Sequence, residues 1–249
     1  MTERIDDLQR GGLKILQKNG AFCFGTDAVL LSDFVRAGKR ARICDLCTGT
    51  GIIPLLVYGR ENSVHIDAVE IQHDIAEMAA RSVVMNHLEN HIRILEGDVR
   101  QIRELLPHAA YDIVSCNPPY GKAGGTLKNP DETKRLARHE ESCELADVVM
   151  AARWLLRSGG KFCCVFPVSR LTELFNRMQE KRIMPKRLRM VHSFQNREAN
   201  LCLVEGMVDA HEGLRVESPL VIYEKDGSYT DEMKRIYNLK PDENSLVEL

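Results

Sequence analysis

No apolar run in this 249-residue sequence approaches the ~20 residues that a membrane-spanning helix needs, so no membrane association is expected. The opening stretch, Met1 to Asp7, is acidic and polar, unlike a signal peptide. Internal repeats are absent, and no linker is long enough to separate two domains. Metal-ligand spacing is absent too. Cys44-Asp-Leu-Cys47 has the Cys-x-x-Cys form, but no second pair and no His-x-His accompanies it, so no metal is expected. The Gly-Lys-Ser/Thr of a Walker phosphate loop is also missing.

What is present fits one α/β domain with small extensions: 44% hydrophobic and 28% charged residues. The eight cysteines, at 23, 44, 47, 116, 143, 163, 164 and 202, fall mostly in apolar, strand-like runs. They read as free buried thiols of a reducing compartment, hence a cytoplasmic protein. The net charge of −2 hides an asymmetry. Residues 153–197 carry eleven Lys/Arg against Glu173 and Glu180, whereas residues 209–249 carry ten acids against five bases. The basic block is either a polyanion-facing surface or a solvated face with snorkelling side chains. Nothing in the sequence bears on oligomeric state.

Residues 1–11 are polar and predict a loose helix or arm. Leu13–Lys18 and Ala21–Phe24 flank Asn19-Gly20, a hairpin signal. Thr26 or Asp27 then caps a helix to about Ala37. Strands are expected at 41–46, 64–70, 92–95, 111–116 and 161–167. Helices are expected between them at 52–59, 73–88, 100–106 and 141–157, the last ended by Ser158-Gly159-Gly160. Ser169 is placed to cap a helix to about Lys181. Residues 187–194 and 201–207 predict an antiparallel pair, followed by a short strand at 219–223 and a frayed acidic tail. Alternating strands and helices argue a Rossmann-like, doubly wound, mostly parallel seven-stranded sheet with a C-terminal antiparallel pair.

Chemistry-bearing residues cluster at the strand ends. Asp45-Leu-Cys-Thr-Gly49-Thr-Gly51 follows the first strand and opens a helix, and glycines there let backbone approach a ligand closely. Such a loop alone would equally serve a dinucleotide. Glu70 ends the second strand, where a carboxylate can accept both hydroxyls of a ribose. Asp98 follows the third and could accept from an adenine amino group. The fourth strand ends in Asn117-Pro118-Pro119-Tyr120. Two prolines make a stiff, extended turn. That turn can aim the Asn117 side-chain oxygen and the Pro118 carbonyl at one point, which suits an NH2 group with two protons to give. Holding both protons turns the nitrogen lone pair outward. Tyr120 offers a flat face to the ring that bears the amine.

This ordered series over about residues 24–167 resembles the class I S-adenosylmethionine (SAM) dependent methyltransferase family, in its Asn-Pro-Pro-Tyr branch. Phe24-Gly-Thr-Asp27, Asn117–Tyr120 and Ala137-Arg-His-Glu140 are similar to the bacterial tRNA adenine-N6 methyltransferases acting beside the anticodon of a valine tRNA. The resemblance implies that Asp45, Gly49 and Gly51 cradle the methionine part of SAM. It further implies Glu70 on the ribose, Asp98 on the adenine, Thr26 and Asp27 closing over the cofactor, and Asn117 at the transferred methyl. The implied substrate is tRNA, whose unpaired loop lowers the cost of unstacking the base. Lys122, Lys128, Lys134, Arg135 and Arg138, on a polar loop beside the site, are placed to hold phosphates. His139 reads as a substrate contact or helix-start residue, because no proton need leave before methyl transfer. The domains implied are an arm, hairpin and cofactor-covering helix over 1–40, a methyltransferase domain over 41–225 and an acidic tail over 226–249. Protein-glutamine methyltransferases of release factors and ribosomal-RNA guanine-N2 methyltransferases share the core. The former carry a helical amino-terminal domain and the latter usually a second domain.

Overall fold

A computed structural model describes residues 3–18, 25–118 and 143–239. Five parallel strands form its centre: β3 (Arg42–Leu46), β4 (His65–Glu70), β5 (Ile92–Glu96), β6 (Tyr111–Cys116) and β7 (Leu156–Pro167). Their spatial order is β5-β4-β3-β6-β7. Strands covered on both faces are nearly continuous in apolar residues, and Ile43, Leu46, Ile66, Val69, Ile113 and Val114 are all buried.

Two apolar layers cover the faces. One contains α1 (Thr26–Phe34), α2 (Ile52–Arg60) and part of α3 (His73–Met85). The other contains α4 (Ile102–Leu105), α5 (Leu145–Leu155) and α6 (Leu171–Glu180). The expected antiparallel pair is β8 (Ile183–Phe194) and β9 (Ala199–Val208), with β9 between β7 and β8. Two short strands, β10 (Arg215–Val216) and β11 (Leu220–Tyr223), lie parallel to β8. They raise the sheet from the expected seven strands to nine.

The structure departs from the sequence reading at both ends. Residues 3–7 are not a helix or arm but β1 (Glu3–Asp7), antiparallel to β2 (Lys14–Lys18). The chain reverses at Gly11 and Gly12, at φ +61° and +73°, where a side chain would be strained. The ribbon is fixed to α3: the Leu16 amide donates to Ser82 Oγ at 3.0 Å and the Lys14 amide to Asn86 Oδ1 at 2.9 Å. The hairpin expected around Asn19-Gly20 lies outside the described residues. At the other end, α7 (Asp231–Tyr237) occupies part of the expected acidic tail. Thr230 Oγ1 accepts from the Met233 amide, and Met233 and Ile236 are buried. Arg10 Nη2 donates to the Ile236 carbonyl at 2.9 Å, and Asn238 Nδ2 donates to the Gln9 carbonyl, so the ribbon and α7 are joined.

Two expected caps also differ. α1 begins after Gly25 with no side-chain cap, and Asp27 Oδ1 accepts from the adjacent Ala28 amide at 2.8 Å. Ser169 sits in a 3-10 turn over Val168–Arg170 ahead of α6. The Gly159-Gly160 pair lies within β7, where the pairing register with β6 shifts.

Candidate active site at the carboxyl edge of the sheet

Parallel register brings the predicted strand ends to one edge. Leu46 pairs with Cys116, one residue before Asn117. Glu70 pairs with Glu96, two residues before Asp98. Neighbouring strands stand ~4.8 Å apart, so the four groups lie in a row along the sheet's carboxyl edge.

The glycine loop is built on Asp45. Cys47, Gly49 and Gly51 have φ of +56°, +57° and +82°, the left-handed turns that bring the chain from β3 into α2. Thr48 Oγ1 donates to Asp45 Oδ2 at 2.6 Å, and Ser115 Oγ donates to Asp45 Oδ1 at 2.6 Å. The Asp45 carboxyl is 0% exposed. Burial raises its pKa to about 7, against the lowering effect of the two hydroxyls. Asp45 thus lies beneath the loop and joins it to β6, two residues before Asn117. A Cβ added at Gly49 would meet nothing within 4 Å, so open space adjoins that turn.

Glu70 is 4% exposed and faces the same loop. Its Oε2 accepts from the Gly49 amide at 2.9 Å, and its Oε1 accepts from the Gln72 amide at 3.0 Å. Oε1 also accepts from the Gln72 side-chain amide at 3.3 Å, so it is Oε2 that keeps a lone pair for a further donor. Asp98 is turned toward Arg100: it accepts from the Arg100 amide at 2.8 Å and from the guanidinium at 2.9 Å. That bonding holds the Asp98 carboxyl below the usual carboxylate range.

Asn117 is half-buried and Pro118 buried. Pro119 and Tyr120 lie outside the described residues, as do Lys122, Lys128, Lys134, Arg135, Arg138 and His139. Thr26 stands at the first turn of α1, where its Oγ1 accepts from the Tyr237 hydroxyl at 3.3 Å.

Sequence reasoning missed a thiol cluster at this edge. Cys47 and Cys143 pack against the apolar cluster that contains Cys116, where the glycine loop, the end of β6 and the approach to α5 meet. Burial pushes the Cys116 thiol up to about 11, so it stays neutral and serves packing. The Leu46–Cys116 pairing would have revealed it, but only once the strand register was known.

The basic block reads differently in three dimensions. Arg157 pairs with Asp112, Lys161 and Arg187 with Glu205, Arg170 with Glu173, Arg177 with Glu180, Arg182 with Asp209 and Arg189 with Glu232. Seven of its eleven bases thus have acidic partners within the protein, Glu205 serving two of them. Among the described residues, no cluster of three or more His, Cys, Asp or Glu side chains could hold a metal ion, and no helix is long and apolar enough to cross a membrane.

The residues present fit a cofactor with a ribose and an amino-acid tail. A tightly turned loop with free space beside Gly49 stands next to a buried carboxylate with acceptor capacity to spare.

Comparison with known proteins agrees with this arrangement. The chain is 35% identical over 153 residues to the tRNA1(Val) (adenine(37)-N6)-methyltransferase of Tolumonas auensis. The match covers 61% of this chain and 62% of that protein, somewhat under two thirds of its length. It is 28% identical over 228 residues to the protein of the same name from Porphyromonas gingivalis, covering 88% and 89% of the two chains. In fold it is similar to the crystal structure of Atu636 from Agrobacterium tumefaciens, named a predicted O-methyltransferase. That likeness has a TM-score of 0.70 and 23% identity, and it covers 85% of this chain and 95% of the other. The sequence model of the methyltransferase small domain matches residues 12–181, a span that runs from β2 through α6. The chain belongs to the methyltransferase small domain family.

Proposed function

We propose that this protein transfers a methyl group from SAM to the exocyclic N6 amine of an adenine in tRNA. The observation that carries the reading is the placement of Asn117. It follows directly on β6, on the edge that holds Gly49 and Glu70, and Ser115 ties its strand to the glycine loop through Asp45. The names of the curated relatives supply the substrate class.

SAM, when bound, supplies a methyl carbon attached to a positively charged sulfur. The chain's own residues then divide the work. Gly49 gives the backbone room to approach the methionine part, and Glu70 accepts from the ribose hydroxyls. Asn117 Oδ1 and the Pro118 carbonyl accept the two protons of the amine, which directs its lone pair away from the ring. After transfer the nitrogen has one proton too many and releases it to solvent, so no strong base is required. Tyr120 stacks on the base; Lys122, Arg135, Arg138 and His139 contact the RNA around it.

The test is incubation with labelled SAM and a pool of unmodified tRNA, ribosomal RNA and release factor, followed by digestion and mass analysis. N6-methyladenosine in tRNA is the expected product. Label on a protein glutamine or on guanine N2 overturns the reading.

A further inference from the structure

Four aromatic rings form a ladder along the far end of the carboxyl edge. Phe194 closes β8, Tyr223 closes β11, and the two are register partners in parallel strands with ring centroids 5.5 Å apart. Tyr223 stacks on Tyr229 at 5.5 Å and 9°, and Tyr229 stacks on Tyr237 at 5.3 Å and 14°. The inner pair, Tyr229 and Tyr237, packs against the apolar layer that contains α1 and α2. All four rings are half-buried, and the outer pair is outside that layer. The Phe194 and Tyr223 rings are tilted by 37°, not stacked like the other two pairs.

Packing accounts for the inner pair only. The outer end presents an uncharged ring as the next rung of a stack, and every nucleobase has a flat face to match it. Its position suits a substrate that already occupies the site. β8 stands three strands from β6, in the order β6-β7-β9-β8. At ~4.8 Å per strand that is ~14 Å across the sheet, and register sets Leu188 level with Cys116, so Phe194 stands a further six residues, ~20 Å, along its strand. The combined ~24 Å is about seven stacked nucleotides at ~3.4 Å each. Flanking charge is slightly negative: Arg197 and Lys225 stand against Glu198, Glu224 and Asp226, all exposed. Attraction there comes from ring stacking rather than net charge.

We infer that Phe194 and Tyr223 form a stacking platform for an unpaired base of the RNA substrate, about seven nucleotides from the methylated one. The inference rests on the RNA reading given above. Steady-state kinetics with an unmodified tRNA transcript test it, using Phe194→Leu and Tyr223→Leu, which keep apolar bulk and remove the flat face. KM for tRNA should rise about 5- to 100-fold, the usual cost of losing one base–aromatic stack, with kcat and SAM affinity within twofold. Phe194→Trp should restore KM. An unmoved KM in both Leu variants overturns the platform, as does a fall in kcat that tracks a lower melting temperature, since that marks a purely structural ladder. Should the wild-type protein methylate no tRNA at all, the RNA reading falls and takes the platform with it. Transfer with unmoved KM removes the platform alone.

Discussion

Asn117 and Glu70 occupy one edge but predict opposite kinetic defects. Asn117→Ala should abolish transfer, by more than 100-fold, while SAM affinity stays within a few-fold; equal loss of both, read by calorimetry, would remove its assigned role. Glu70→Ala should weaken SAM binding about 10- to 100-fold, the worth of hydrogen bonds to a charged acceptor. Asp45 predicts a pH effect. Its pKa is raised from 3.8 to about 7 in the folded protein, so the native state holds a proton that the unfolded chain has lost between those values. Stability from this group is therefore full below pH 4 and declines as pH rises to about 7, by up to ~4 kcal/mol. Melting curves of Asp45→Asn should lack that decline; a variant that parallels wild type across the window would refute it. The sequence made Asp45 visible as a strand-end acid. It could not reveal that the carboxyl faces inward to Ser115, because that contact joins residues 70 positions apart through strand register.

Elements with an apolar period were legible, and those without one were not. β6 is observed at the boundaries predicted, since its six residues are largely buried and two prolines end it. β1 reads Glu-Arg-Ile-Asp-Asp, with no apolar face. It is a strand because β2 pairs with it and Arg81 of α3 binds Glu3 at 2.7 Å. α7 was hidden because only Met233 and Ile236 among its seven residues are buried, in a stretch dominated by acids. Its docking has a measurable cost: Met233→Ala should destabilise the protein by ~2–5 kcal/mol, as other large-to-Ala core changes do. A loss below ~1 kcal/mol in denaturant titration would mean that α7 contributes little to the fold.

For the whole molecule, charge composition was a poor guide and topology a good one. Eleven bases in one segment left a polyanion surface and a solvated face equally open; seven of them pair with acids, five with acids from elsewhere in the chain and two with Glu173 and Glu180 inside the segment. Salt-dependent RNA binding should therefore come from the 122–138 loop. Replacing Lys122, Arg135 and Arg138 by Gln should flatten the slope of log K against log salt by ~0.7 per charge, whereas replacing Arg177 and Arg182 should leave it unchanged. The reverse pattern would return the phosphate contacts to the basic block. The row of strand ends, by contrast, was readable in advance, because a doubly wound sheet fixes where every strand must finish.

The bond from Arg10 to Ile236 has a consequence for biosynthesis. Leu8 and Leu13 share one apolar cluster with Met233 and Ile236, and the Arg10–Ile236 bond joins residues 226 positions apart, so the cluster closes only when both segments have been made. A nascent chain truncated before α7 should be held open to proteases, and resistance to them should arrive in one step once α7 is included.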